Sequence, residues 1–144
     1  MTSAFMETIY CDDVRSEIGN KLSFMGIYGP NILLNEFPAI LSKLCAVMSL
    51  HLPADTQAEN VTFSLYKDDE EIGRSTALIA DVRKAATQPR ESDEERRLTI
   101  RFIAQMVPLQ LQGPCRLKAR AEVDGEMIKG GSLVVERTPP GFVP

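Results

Sequence analysis

The sequence predicts an all-β protein, a two-sheet antiparallel β-sandwich of about eight strands. Three observations carry this. Apolar residues alternate with polar ones over short segments, the period of a half-buried strand. Turn residues separate those segments: Gly-Asn, Asp-Asp, Asp-Gly and Gly-Gly. No stretch sustains the 3.6-residue period of a long amphipathic helix.

The chain opens with "FMETIYCDDVRSEI", residues 5–18, and "KLSFMGIYG", residues 21–29, joined through Gly19-Asn20. Both joining residues accept positive φ, so a tight hairpin is expected. Strands disfavour Asp, and Asp12-Asp13 marks a break or bulge in the first arm. A short helical turn capped by Asp12 or Asp13 is the alternative. "GPNILLNEFPAILSK", residues 29–43, is apolar but carries two prolines. It reads as a long crossover loop that caps one end of the core.

"KLCAVMSLHL", residues 43–52, is apolar on both faces, as a central strand covered on both sides would be. "NVTFSLYK" sets Val61, Phe63 and Leu65 on one face. A turn at Asp68-Asp69 should bring Leu65 opposite Ile72 in the next strand. Residues 80–97, "ADVRKAATQPRESDEERR", form the most polar stretch and read as a loop, with "LIADVRKAA" able to make two helical turns. "RLTIRFIAQM" then places Leu98, Ile100, Phe102, Ala104 and Met106 on one side.

"CRLKARAEV" alternates most cleanly. Cys115, Leu117, Ala119, Ala121 and Val123 face in, and Arg116, Lys118, Arg120 and Glu122 face out. Asp124-Gly125 is a strong hairpin signal, because a type I′ turn needs positive φ at both central positions. Its register pairs Ala121 with Ile128 but would leave Leu133 and Val135 in water. A bulge at Gly130-Gly131 turns them inward. Residues 1–138 form one sandwich domain on this reading, and the Pro-rich residues 139–144 form a tail.

The chain has 144 residues and a net charge of −4, which argues against nucleic acid as a partner. Residues 1–72 carry net −7 and residues 73–144 net +3. Complementary neighbouring strands account for this, or a molecule that associates head to tail. No apolar run is long enough for a membrane helix, so no membrane partner is expected. The N-terminal residues lack a signal-peptide pattern, and Cys11, Cys45 and Cys115 form no CxxC pair. A cytoplasmic protein with three free thiols is the expectation.

The segment "CDDVRSEIGNKLSFMGIYG", then "FPAILSKLCAVMSL", then "VDGE" before a final apolar strand, resembles a family of small uncharacterised bacterial proteins, a domain of unknown function. The resemblance covers most of the chain and is most specific over residues 11–29. It implies an immunoglobulin-like sandwich. It implies no activity, cofactor or catalytic residue.

Candidate chemistry is sparse. Asp12, Asp13 and Glu17 beside Cys11 lack the spacing of a hard-cation loop, and Cys11 has no Cys or His near it in sequence. His51 is the sole histidine, and there is no nucleophile elbow, Walker motif or H-E-x-x-H. No catalytic, metal or cofactor residue is assigned, and no cofactor is expected. Arg101, Arg116, Lys118 and Arg120 could form an anion-binding stripe. Ile32, Leu33, Leu34, Phe37 and Ile40 are more apolar surface than a connecting loop needs. They serve as core cap or as interface. The sequence thus reads as a non-enzymatic protein-interaction module that self-associates, with a dimer favoured. A small-ligand-binding sandwich, or an enzyme with an Asp/Glu or Cys site, is the alternative.

Overall fold

The computed structural model describes residues 4–85 and 97–142. In chain order the strands are β1 (Phe5–Glu17), β2 (Lys21–Ile27), β3 (Asn31–Leu34), β4 (Ala39–Leu41), β5 (Leu44–Pro53), β6 (Asn60–Lys67) and β7 (Glu70–Leu78). A short helix, α1 (Ile79–Ala85), follows. Then come β8 (Arg97–Met106), β9 (Leu109–Leu111), β10 (Cys115–Val123) and β11 (Glu126–Arg137). The described residues thus hold eleven strands rather than about eight. The surplus is short: β3, β4 and β9 have four residues or fewer.

One sheet has the order β2-β1-β5-β8 and a second the order β3-β11-β10-β6-β7. A two-stranded sheet, β4-β9, completes the set. The inner faces of the two larger sheets share one core. Leu44, Met48 and Leu50 come from the first, and Leu65, Leu117 and Leu133 from the second. This all-β arrangement is consistent with a β-sandwich. Each fully buried aliphatic side chain contributes roughly 1.5–3 kcal/mol, so these alternating strands dominate the fold's stability.

The turns act as their residues dictate. Asp124 and Gly125 have φ of 47° and 89°, and Ala121 pairs with Ile128. Across from Ala119, two residues, Gly130 and Gly131, fill the space of one, so Leu117 meets Leu133 and Cys115 meets Val135. At the β6–β7 hairpin the register differs from the expected one. Leu65 lies opposite Gly73, not Ile72, because a bulge follows Tyr66↔Glu71.

Residues 29–43 are not a plain crossover loop. They hold β3, which pairs with β11 in parallel, and β4, which pairs with β9. The parallel pair is the exception to the antiparallel expectation. It arises because β3 enters the five-stranded sheet from the other sheet, along the edge of β11. The β4–β9 pair continues the β5–β8 ladder. Leu44 faces Met106 and Leu41 faces Leu109, with two residues skipped on each strand. Three steps of strict alternation would turn Leu41 and Leu109 outward. Instead both pack on the core and Ile40 points out. Both strands therefore turn a corner at Ser42-Lys43 and Val107-Pro108, as strands do where a sandwich closes its end.

The two sheets also meet directly where β1 runs beside β11. The Tyr10 hydroxyl donates to the Gly131 carbonyl at 2.7 Å, and the Gly131 amide donates to Thr8 Oγ1 at 3.1 Å. A Cβ on Gly130 would stand 2.5 Å from Thr8 Oγ1 and 2.6 Å from Met6 Cε. The bulge thus corrects the register and lets the sheets close. Of the polar stretch 80–97, the start lies in α1, and residues 86–96 lie outside the described residues, as do 143–144 of the tail.

Candidate functional site

The best-defined feature outside the core is the arm made by β1 and β2. β1 pairs with β5 only as far as Cys11↔Cys45. Its pairing with β2 continues from Cys11↔Ile27 to Glu17↔Lys21. From Asp12 onward β1 therefore has a partner on one side alone. The arm ends in a tip, Ile18-Gly19-Asn20, where Gly19 and Asn20 have φ of 91° and 58° and Ile18 is 95% exposed. Val14 and Phe24 fold against Cys11, Cys45 and Val47 on the outward face of the four-stranded sheet.

Asp12 and Asp13 make the crease at the base of this arm. The Asp12 carboxylate lies over Gly26, in the place a Cβ would occupy, and Gly26 has φ of 68°. That position requires glycine for space and for conformation. Asp12 also accepts a hydrogen bond from the Tyr28 hydroxyl. Asp13 Oδ1 accepts from its neighbour Val14 N at 2.9 Å and from Lys43 Nζ at 2.7 Å, with Arg15 at 3.6 Å from Oδ2. Two backbone carbonyls at the crease accept from thiols. Cys11 Sγ donates to Asp13 O at 3.5 Å, and Cys45 Sγ makes a longer contact of 3.9 Å to Asp12 O.

The electrostatics match this structural role. The hydrogen bond from Lys43 holds the Asp13 carboxyl below its ordinary range, and Asp13 in turn raises Lys43. Burial, then the Asp12 hydrogen bond, pushes the Tyr28 phenol up to about 12. Burial pushes both the Cys11 and Cys45 thiols up. The paired acids of the opening segment therefore latch a hairpin. They do not converge on a shared ligand position. Among the described residues no group of three or more His, Cys, Asp or Glu side chains is gathered for a metal ion.

The arm leaves β2 as one edge of its sheet. The other edges of the two larger sheets are β8, β3 and β7. β8 carries Arg97 and Arg101, β7 carries Glu70, Glu71, Arg74 and a bulge, and β3 has only four residues. Charges, bulges and short length are the devices that protect a sheet edge from pairing. β2 has a charge only at its first residue, Lys21, and exposes Met25 (45%) and Ile27 (60%).

The interface candidates of the 30–41 segment separate. Ile32 is 6% exposed and belongs to the core. Leu34 and Phe37 pack against that core, with the Arg137 guanidinium 5.6 Å over the Phe37 ring. Leu33 is half-buried. Ile40, at 66% exposure, is the outward member of the five because the corner reverses the facing of β4.

The anion-binding candidates also separate. Arg116, Lys118 and Arg120 share one face of β10, but Arg101 stands on β8 in the other sheet, where it donates to Ser49 Oγ at 3.3 Å. Alternation along a strand fixes a residue's face, not the sheet to which that face belongs. The acidic β6–β7 turn lies beside the three. Asp68 Oδ1 accepts from the Arg116 amide at 2.9 Å, and Asp69 lies 3.9 Å from Lys118 Nζ. Sequence reasoning missed Arg74 and Lys129, which the register sets in a cross-strand row with Ser64 and Arg120. Only the pairing of four strands could have found that row.

His51 lies on the outward face of β5, stacked on Phe5 at 4.7 Å. Its Nδ1 is 2.9 Å from Thr99 Oγ1, and its Nε2 is 3.5 Å from Glu7 Oε1. A cavity of about 360 Å³ lies elsewhere, lined by residues including Leu52, Ala58, Val123, Asp124 and Ile128. The Asp124 carboxylate is engaged there by the Glu59 and Asn60 amides at 3.0 Å.

No helix among the described residues is long and apolar enough to cross a membrane. No curated protein matches the chain. One family model spans it from near the start of β1 to the penultimate residue of β11. The sequence resemblance carried by the Asp-Asp crease, the Gly-Asn tip and the Asp-Gly turn is borne out, and the chain belongs to the family of unknown function DUF6941, matched over residues 8–136.

Proposed function

We propose that the chain is a non-enzymatic protein-interaction module, an immunoglobulin-like sandwich that forms a dimer through the β2 edge of its arm. The observation that carries this is the contrast among the four edges: β2 runs from Leu22 to Ile27 without a charge and exposes Met25 and Ile27. Unpaired strand edges recruit a further strand by main-chain hydrogen bonds, with side-chain pockets adding specificity. The carboxylates with lowered pKa, Asp13 and Glu71, sit in surface pairs with Lys43 and Arg74, away from the 360 Å³ cavity. That placement favours binding over acid-base chemistry. Three free thiols suit a reducing, cytoplasmic setting.

The test is Met25→Lys, which adds the kind of charge that guards natural edges. In sedimentation velocity the parent should shift toward dimer as concentration rises, and Met25→Lys should remain monomeric with an unchanged circular dichroism spectrum. A parent that stays monomeric at high concentration overturns the proposal.

A further inference from the structure

Cys11 and Cys45 face each other directly across β1 and β5. Both are free thiols with 0% exposure. Facing residues of an antiparallel pair have Cα atoms about 4.5 or 5.5 Å apart, according to their class. Disulfides span Cα separations of about 4.4–6.8 Å. Side-chain rotation and a small backbone adjustment are therefore enough to join them. Cys115 faces Val135 in the other sheet.

Val14 and Phe24, both half-buried, cover the pair from the arm, and Ile9 and Ile103 pack beside it from β1 and β8. The arm is fastened at its base by the Lys43–Asp13 pair and is exposed at its tip. A two-stranded ribbon is marginally stable on its own, so it opens more readily than the sheets beneath. The thiols also hydrogen-bond to the carbonyls of the crease, Asp13 O and Asp12 O. Any bond between the two sulfurs acts on the base of the arm.

We infer that Cys11 and Cys45 are a modification site, which a peroxide oxidises to a reversible cross-strand disulfide. One sulfur, as thiolate, attacks a peroxide oxygen. The O–O bond breaks, water leaves, and a sulfenic acid forms. The second sulfur attacks the first, the S–S bond forms, and a second water leaves. Two thiols and one peroxide become one disulfide and two waters, with two electrons passing from sulfur to oxygen. Burial raises both thiols, so the pair is quiet while covered, and arm opening sets the rate. Forming the bond removes both thiol donors from the crease.

The test treats the folded protein with hydrogen peroxide, quenches it, and counts thiols after unfolding, with peptide mapping by mass spectrometry. Titratable thiols should fall from the three present to Cys115 alone. The mass should drop by two hydrogens, a linked Cys11–Cys45 peptide should appear, and dithiothreitol should restore all thiols. Cys115→Ser should leave this change intact, and Cys45→Ala should abolish it. Oxygen added to either sulfur without a linked peptide overturns the inference. So does linkage only between chains through Cys115, or a full thiol count after treatment. If Cys45→Ala fails to fold, the peptide map of the parent decides alone.

Discussion

The β10–β11 hairpin and the β1–β2 hairpin use the same local chemistry and reach opposite ends. Each turns on two residues with positive φ, Asp124-Gly125 in one and Gly19-Asn20 in the other. Yet β10 is flanked on its far side by β6, β11 by β3, and both send Leu117, Leu133 and Val135 into the core with no exposure. The β1–β2 hairpin has no such flanks beyond Cys11. It rests on Val14, Phe24 and the Lys43–Asp13 bond, and its tip reaches solvent. A turn fixes which residues face each other. Flanking strands and a buried face decide whether the hairpin is structure or appendage.

The largest expected difference comes from removing a side chain in each hairpin. Leu133→Ala should cost about 2–5 kcal/mol, the range for deleting a fully buried leucine. Ile18→Ala should stay within about 0.5 kcal/mol, as exposed positions do. Denaturant midpoints measure both, and a comparable loss for Ile18→Ala would place the tip in a packed environment.

A smaller and sharper difference lies in the turn glycines. Gly125 and Gly19 have φ of 89° and 91°, and a Cβ would meet nothing within 4 Å at either. Alanine should impose the same local strain at both, about 1–2 kcal/mol for left-handed backbone. In the β10–β11 hairpin that strain should appear fully in the global midpoint. In the arm it should appear mainly as faster hydrogen exchange at the tip, because the arm can open without the core. Equal global losses would mean that the arm unfolds only with the body.

The smallest effect tests the latch by pH. The folded-state pKa of Asp13 is depressed, first by the Lys43 hydrogen bond. Its contribution is therefore present above the unfolded value of about 3.9. It is lost as pH falls through the lower folded value. The midpoint difference between parent and Asp13→Asn should be present near neutrality and close in acid. A difference that persists at low pH would assign the effect to shape rather than charge.

Much of the body was legible because its cues are local. The alternation in "CRLKARAEV", the Asp-Gly turn and the Gly-Gly bulge fixed the pairing of Leu117 with Leu133 before any partner strand was known. The β6–β7 register slipped by one because the single Gly73 beside Ile72 does not by itself mark a bulge. The site was less legible. Asp12-Asp13 announced a break, but not that β1 would part from β5 there, since that depends on where a strand some thirty residues later begins.

The sequence by itself determined the strand faces, the hairpin turns and the family, because alternation and positive φ are properties of a few neighbouring residues. The tertiary structure decided the rest. It buried Ile32 and exposed Ile40, since a corner between sheets reverses a strand's facing. It placed Arg101 in a different sheet from Arg116, Lys118 and Arg120. It set Cys11 against Cys45, and it left β2 as the least guarded edge. Those outcomes depend on which distant strands become neighbours. That choice is made by the shared core as a whole, and no short stretch of sequence encodes it.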